Sequence, residues 1–347
     1  LKLVVFRILL VILLAAAGFG HAGAQAARTH VVIVVGLGGT ADFRESFHQE
    51  ASQIYTALTE QHGLRPEDVV YLGEKPEVDP DMISEESTRA NILQVLGELA
   101  QDAGPDDKVV VILIGHGSEG RNGVQFNLPG PDLGPSDFAG ALVAFPTQPL
   151  ALVATGSASG GFVEPLAGPN RVVIAATASV REQNATRFGQ FFAEAISGSG
   201  SDLDHDNRIS LLEAFTYAKQ EVARYYEEEN AMQSEHAVLD DNGDGEGSTD
   251  ASLDGPDGVL AATFTFGTGA GVEGGAAVDD PVLAGLLTER DEIQRQIDEL
   301  RVVRDALSED EYLDRLEPLL VELALKNREI EAAGGSMDDS DPDGDTR

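Results

Sequence analysis

The chain has 347 residues, 60 of them acidic and 23 basic, for a formal charge of -37. That balance argues against nucleic acid and anionic membrane surfaces as partners and favours divalent cations. There is no cysteine, so disulfides, thiol catalysis and thiolate metal sites are excluded.

Residues 1–24 read as a targeting segment: Lys2 and Arg7 form a basic start, Ile8–Ala17 is a short apolar run, and Ala22-Gly23-Ala24 fits a cleavage site. The protein is therefore expected to be exported (periplasmic or secreted), with a retained signal anchor as the alternative. No later run approaches the ~20 apolar residues of a membrane span. Val31–Val35 is the first buried strand. The loop after it, Gly36-Leu37-Gly38-Gly39-Thr40-Ala41, is formally G-x-G-x-x-A. The acidic residue that would hold a ribose comes too late for a dinucleotide fingerprint, so the glycines are read as serving the backbone.

Phe43–Gly63 reads as a helix with Phe47, Ala51, Ile54 and Leu58 on one face. Val69–Leu72 is a strand, Lys75–Ser87 a polar loop, and Thr88–Ala100 an amphipathic helix. Val109–Gly117 then carries six consecutive β-branched or leucyl residues and ends in His116 between two glycines. Such a run is the central strand of a parallel sheet, buried on both faces. Gly120–Pro135 is expected to be a loop, with Ser136 capping a helix over Asp137–Val143. Leu150–Ala154 and Arg171–Ala176 are further strands, Asn184–Ile196 a helix, and Val259–Phe266 a last strand near the sheet edge. Strand–helix alternation predicts an α/β fold. Its ligands belong beyond the carboxyl ends of the strands, where His116 and the loop Thr155–Gly161 fall.

In this order, the pieces resemble the caspase–legumain (haemoglobinase) clan from Thr29 to Phe266. They are Phe43-Arg44 entering a helix, Ser87-Thr88-Arg89-Ala90-Asn91-Ile92, the strand ending Gly115-His116-Gly117, Ser157-Ala158-Ser159-Gly160-Gly161-Phe162, and Pro169-Asn170-Arg171 leading into a strand. The resemblance implies a caspase-like, parallel-rich sheet flanked by helices. It places His116 at the catalytic histidine, Ser157 where the family has its cysteine, and Arg44 in the pocket for the residue before the cleaved bond. A serine hydroxyl needs a stronger, better-oriented base than a thiol does, and no acid partner for His116 is evident in the sequence.

The strongest local motif lies in an insertion over 198–255. Asp202-Leu203-Asp204-His205-Asp206-Asn207-Arg208-Ile209-Ser210-Leu211-Leu212-Glu213 follows the EF-hand calcium loop. Asp202, Asp204 and Asp206 would supply carboxylates, the Arg208 carbonyl the seventh position, Ser210 the ninth, and Glu213 a bidentate closure. Asn207 stands where glycine is usual, and Leu212–Glu229 reads as the exiting helix. A second loop places Asp240, Asn242 and Asp244 at ligand spacing but has Ala251 at its twelfth position. It is either a second, non-standard calcium site or a hydrogen-bonded turn, and the two loops could pair. His236 reads as a surface or core histidine rather than a ligand.

After a glycine-rich linker (267–280), residues 281–333 read as an α-helical hairpin in which Ser308 and Glu311 form a capping box. Residues 334–347 are an acidic tail. The hairpin packs on the domain, on a second copy or on another protein. The functional reading is an exported, calcium-binding, caspase-like module without peptidase activity, whose cleft takes a peptide or protein. A hydrolase using Ser157 with His116 is the alternative, and a purely structural calcium-stabilised protein is the third reading.

Overall fold

The computed structural model describes residues 27–333 apart from 122, 205, 207, 267–280 and 305–306. The expected leader, linker and acidic tail, and His205 and Asn207 of the expected calcium loop, lie outside the described residues. The chain begins β1 (Thr29–Val35), α1 (Ala41–Thr56), β2 (Val69–Gly73), β3 (Glu85–Glu86), α2 (Arg89–Asp102) and β4 (Lys108–Ile114). Thr40 and Thr88 start the two helices, their hydroxyls accepting the N–H groups of Phe43 and Asn91. There follow β5 (Gly117–Gly120), β6 (Gly123–Phe126), α3 (Pro135–Leu142), β7 (Leu150–Ala154), α4 (Val163–Leu166), β8 (Arg171–Ala175) and α5 (Phe188–Ser197). The described chain closes with β9 (Ile209–Ser210), α6 (Leu211–Glu228), β10 (Val238–Asp240), α7 (Val259–Thr263), β11 (Thr265–Phe266), α8 (Pro281–Val302) and α9 (Glu309–Ala332).

Seven strands form one sheet in the order β10-β8-β7-β4-β1-β2-β3, parallel throughout except for β10 at one edge. The expected α/β architecture is thus present, with β4 in the middle. Alternate residues of the central strands feed two cores. Val31, Ile33, Ile112 and Ile174 pack with Phe47, Phe188 and Phe215 of α1, α5 and α6. Val32, Val111, Leu113 and Leu152 pack with Ile92, Leu96 and Phe138 of α2 and α3 on the other face. The uninterrupted apolar runs are what a sheet covered on both faces requires.

Four expectations change. Val259–Phe266 is not a strand of the sheet: Val259–Thr263 is helical, and Thr265–Phe266 pairs with Ile209–Ser210 instead. The cause is remote, because the buried Asp241 carboxylate accepts the N–H groups of Gly258 (2.9 Å) and Ala261 (2.8 Å) and so nucleates a helical turn. The sheet's last strand is Val238–Asp240, antiparallel to β8. The expected loop 120–135 contains half of the β5–β6 hairpin. Ser136 is not the cap of α3; Gly134 is, with Pro135 as first helical residue and the Asp137 carboxylate accepting the Gly134 N–H. Likewise α5 starts at Phe188 rather than Asn184, where the buried Glu235 carboxylate accepts the N–H groups of Arg187 and Phe188.

The two ends of the sheet differ in kind. At the amino ends of β1 and β4, His30 is locked between Asp68 (3.4 Å) and Asp107 (3.0 Å). Arg28 and Arg65 pair with the same carboxylates. At the carboxyl ends, glycine-rich loops replace this clamp.

Candidate functional site

His116 follows β4 and Ser157 follows β7, so neighbouring parallel strands deliver both to one edge. Their loops meet backbone to backbone. A Cβ on Gly117 would lie 2.1 Å from the Ser157 carbonyl oxygen, and one on Gly156 would lie 2.3 Å from that of Gly115. His116 is half-buried with its ring against Phe43 (4.5 Å) and Phe47 (5.0 Å). Burial lowers its pKa, opposed by a backbone hydrogen bond to Gly38, so the imidazole is neutral at neutral pH. Among the described residues, no carboxylate pairs with its ring. The Ser157 hydroxyl is buried and donates to the Gly117 carbonyl (3.1 Å). The next residue, Ala158, is fully buried in the left-handed conformation (φ 58°), a strained setting of the kind that collects at functional loops.

Arg44 lies beside a different part of this edge. Its Nε donates to Glu74 (2.9 Å), which sits just past β2, and the other Glu74 oxygen accepts the Gly38 N–H (2.9 Å). Glu74 therefore ties Arg44 to the loop that also contacts His116. The sequence hinted at this carboxylate only by its place after a parallel strand. Arg44 and Glu74 line a cleft of about 330 Å³ with Glu45, His48, Tyr71 and Lys75. His48 reaches the Tyr71 hydroxyl (2.9 Å).

Behind the two loops lies a carboxyl that sequence reasoning missed. Glu50 of α1 is buried so close to α5 that a Cβ on Gly189 would come within 2.5 Å of its Oε2. Burial pushes Glu50 up to about 7, against the Ser46 hydroxyl and the charge of Arg187. The folded state then holds a proton that the unfolded chain releases above pH 4.5. Stability must fall as pH rises from about 4.5 to about 7 and level off above, by on the order of 3 kcal/mol. Urea denaturation of Glu50→Gln is expected to show a flatter profile over that window and greater stability than the parent at pH 8.

In the stretch read as a calcium loop, the three aspartates converge. One carboxylate oxygen from each of Asp202, Asp204 and Asp206 lies within 4.8 Å of the others. Burial, then the charges of Asp206, Glu213 and Asp202, holds the Asp204 carboxyl well above the usual carboxylate range. The Asp206 N–H donates to Asp202 and Asp204 (3.1 Å each), and the Arg208 guanidinium pairs with Asp206 (3.0 Å). Ser210 is the N-cap of α6 and Glu213 its reciprocal partner, accepting the Ser210 N–H and hydroxyl at 2.8 and 2.7 Å. The other Glu213 oxygen accepts the Leu203 and Asp204 N–H groups. Three converging carboxylates, one of them held above the usual range by burial first and by its neighbours' charges second, fit a hard divalent cation of calcium's kind.

The second loop is closed on itself. Asp240 accepts the N–H groups of Gly243 (3.1 Å) and Gly245 (2.6 Å), and Asn242 and Asp244 bond to each other (3.1 Å). Asp257 accepts the N–H groups of Asp241 and Asn242. The strand residues of the first loop pair with β11, so the two acidic loops are not joined as an EF-hand pair. His236 is half-exposed and bonded to Glu182 (2.7 Å).

Residues 32–141 match the family model described as metacaspase, peptidase C14 domain. That stretch runs from β1 through α3, includes Arg44 and His116, and ends before Ser157. With the sheet order it supports a peptidase-family relationship on a caspase-like fold. No curated protein matches the chain. Among the described residues, no helix is long and apolar enough to cross a membrane.

Proposed function

We propose that this protein is a caspase-like module whose cleft binds a peptide or protein without cutting it, and whose acidic loop takes calcium. The observation that carries the first part is the fate of the Ser157 proton, which is given to the Gly117 carbonyl and not to His116. A hydroxyl nucleophile needs a base in hydrogen-bond reach that is itself oriented by a third group. The His116 ring is instead held by a hydrogen bond to the Gly38 backbone and flanked by two phenylalanine rings, with no carboxylate on it among the described residues. The cleft around Arg44 and Glu74 has apolar walls and a few fixed polar groups, as ligand pockets do. When calcium is bound, it supplies positive charge to a loop dense in carboxylates; Asp202, Asp204, Asp206 and Glu213 would hold it. The leader-like pattern of residues 1–24 supports an exported protein.

The test is turnover of a fluorogenic peptide library in calcium. The wild type is expected to equal its Ser157→Ala variant at background level. Turnover abolished by Ser157→Ala and by His116→Ala would overturn the reading in favour of a serine hydrolase.

A further inference from the structure

Helix α9 is apolar on two sides. One side packs along α8, where Ile330 is buried and the Lys326 ammonium donates to Glu289 (2.6 Å). The other side is open. Leu313, Leu320 and Val321 are 46–54 % exposed, and the shallow groove they form with Leu316, Glu317 and Ala324 is lined by α9 alone. Steps of three and four residues keep 313, 317, 320, 321, 324 and 328 on this side. Charge is ordered along it. Asp314 and Glu317 lie toward the amino end and Arg328 at the carboxyl end, all three exposed and without an ion-pair partner among the described residues. Arg304 and Lys326 of the same hairpin, by contrast, are paired with Asp254 and Glu289.

We propose that a second copy of the chain covers this side, the two α9 helices packing antiparallel about a twofold axis at Val321. A twofold contact presents the same patch on both copies, so it closes only where the patch complements its own reverse. This one does. Asp314 lies seven residues before Val321 and Arg328 seven after it, about 10 Å to either side at the helical rise. The twofold therefore sets Arg328 of one copy level with Asp314 of the other, with Glu317 one turn away, and does so at both ends. Leu320 and Val321 meet their own copies at the centre. A parallel pair would set acid against acid and arginine against arginine. The chain's charge of -37 opposes self-association at long range, and physiological salt screens that repulsion beyond about 8 Å. The short-range contacts of the patch then decide.

Sedimentation equilibrium of the full chain in about 0.15 M salt tests this. A monomer–dimer equilibrium with a dissociation constant of roughly micromolar order is expected, as suits a contact below the standard interface size. Val321→Glu is expected to leave only monomer. Arg328→Glu and Asp314→Arg each place like charges at both ends of the dimer, and each is expected to weaken it roughly tenfold. Mixed in equal amounts, the same two variants place opposite charges at both ends of a heterodimer, and the mixture is expected to recover most of the loss. Rescue of this kind requires position 314 of one copy to face 328 of the other. The three positions are exposed, and an unchanged melting temperature in each variant verifies the fold. A monomer at concentrations up to about 100 μM would overturn the inference and give the face to another occupant or to none. A dimer indifferent to Val321→Glu would place the contact elsewhere on the chain. A mixture no stronger than its components would overturn the antiparallel pairing.

Discussion

Gly117→Ala is expected to be among the most damaging single substitutions in the chain, costing about 3 kcal/mol or more in urea denaturation. Its Cβ would meet the Ser157 carbonyl oxygen at 2.1 Å, a distance no side chain tolerates. The obstacle is backbone, so relief requires the β4 and β7 loops to separate. Overpacking of a rigid neighbourhood costs about 1–3 kcal/mol and more where nothing yields. The Ser157–Gly117 hydrogen bond would be lost with the movement. Gly120→Ala, three residues on, meets nothing within 4 Å and is the control, expected within about 0.5 kcal/mol of wild type. Equal stability of the two variants would mean that the loops are not apposed as described.

Calcium is expected to raise the melting temperature by roughly 5–10 °C at a hundredfold excess over its dissociation constant. Binding at that excess adds about 2.7 kcal/mol, and a domain of this size gains a few degrees per kcal/mol. The clustered carboxylates, with Asp204 held above its ordinary range, give the cation something to relieve. Asp206→Ala should abolish the shift, since it removes a carboxylate that faces two others. The response should fade as pH falls through the raised Asp204 pKa, because proton and cation then compete for one group. Differential scanning fluorimetry with calcium, magnesium and EGTA across pH reads all three; an unmoved melting temperature in wild type would defeat the calcium reading.

Much of the fold was legible because it is local. The runs of β1, β4, β7 and β8 are apolar without a break, which only a doubly covered sheet explains, and they sit at the expected places. Thr88 announces α2 three residues before the N–H it caps. The acidic loop, too, is written in consecutive spacing, and its aspartates converge. Placing His116 and Ser157 on one edge needed only the rule that parallel strands end on the same side.

Tertiary structure alone decided the rest. The alternation of Val259–Phe266 favours a strand, yet Asp241, 17 and 20 residues upstream, captures the N–H groups of Gly258 and Ala261 and turns the segment into a helix. Glu235 sets the start of α5 from 47 and 48 residues away. Glu74 joins Arg44 to Gly38, and Arg290 reaches Asp206 across 84 residues. In each case a buried charge meets its partner only after the chain has folded back. Periodicity reports which face of an element seeks the core, because burial of apolar surface is additive along the chain. It carries no record of which distant amide, carbonyl or guanidinium will satisfy a particular charge, since that energy exists only once both are withdrawn from water together.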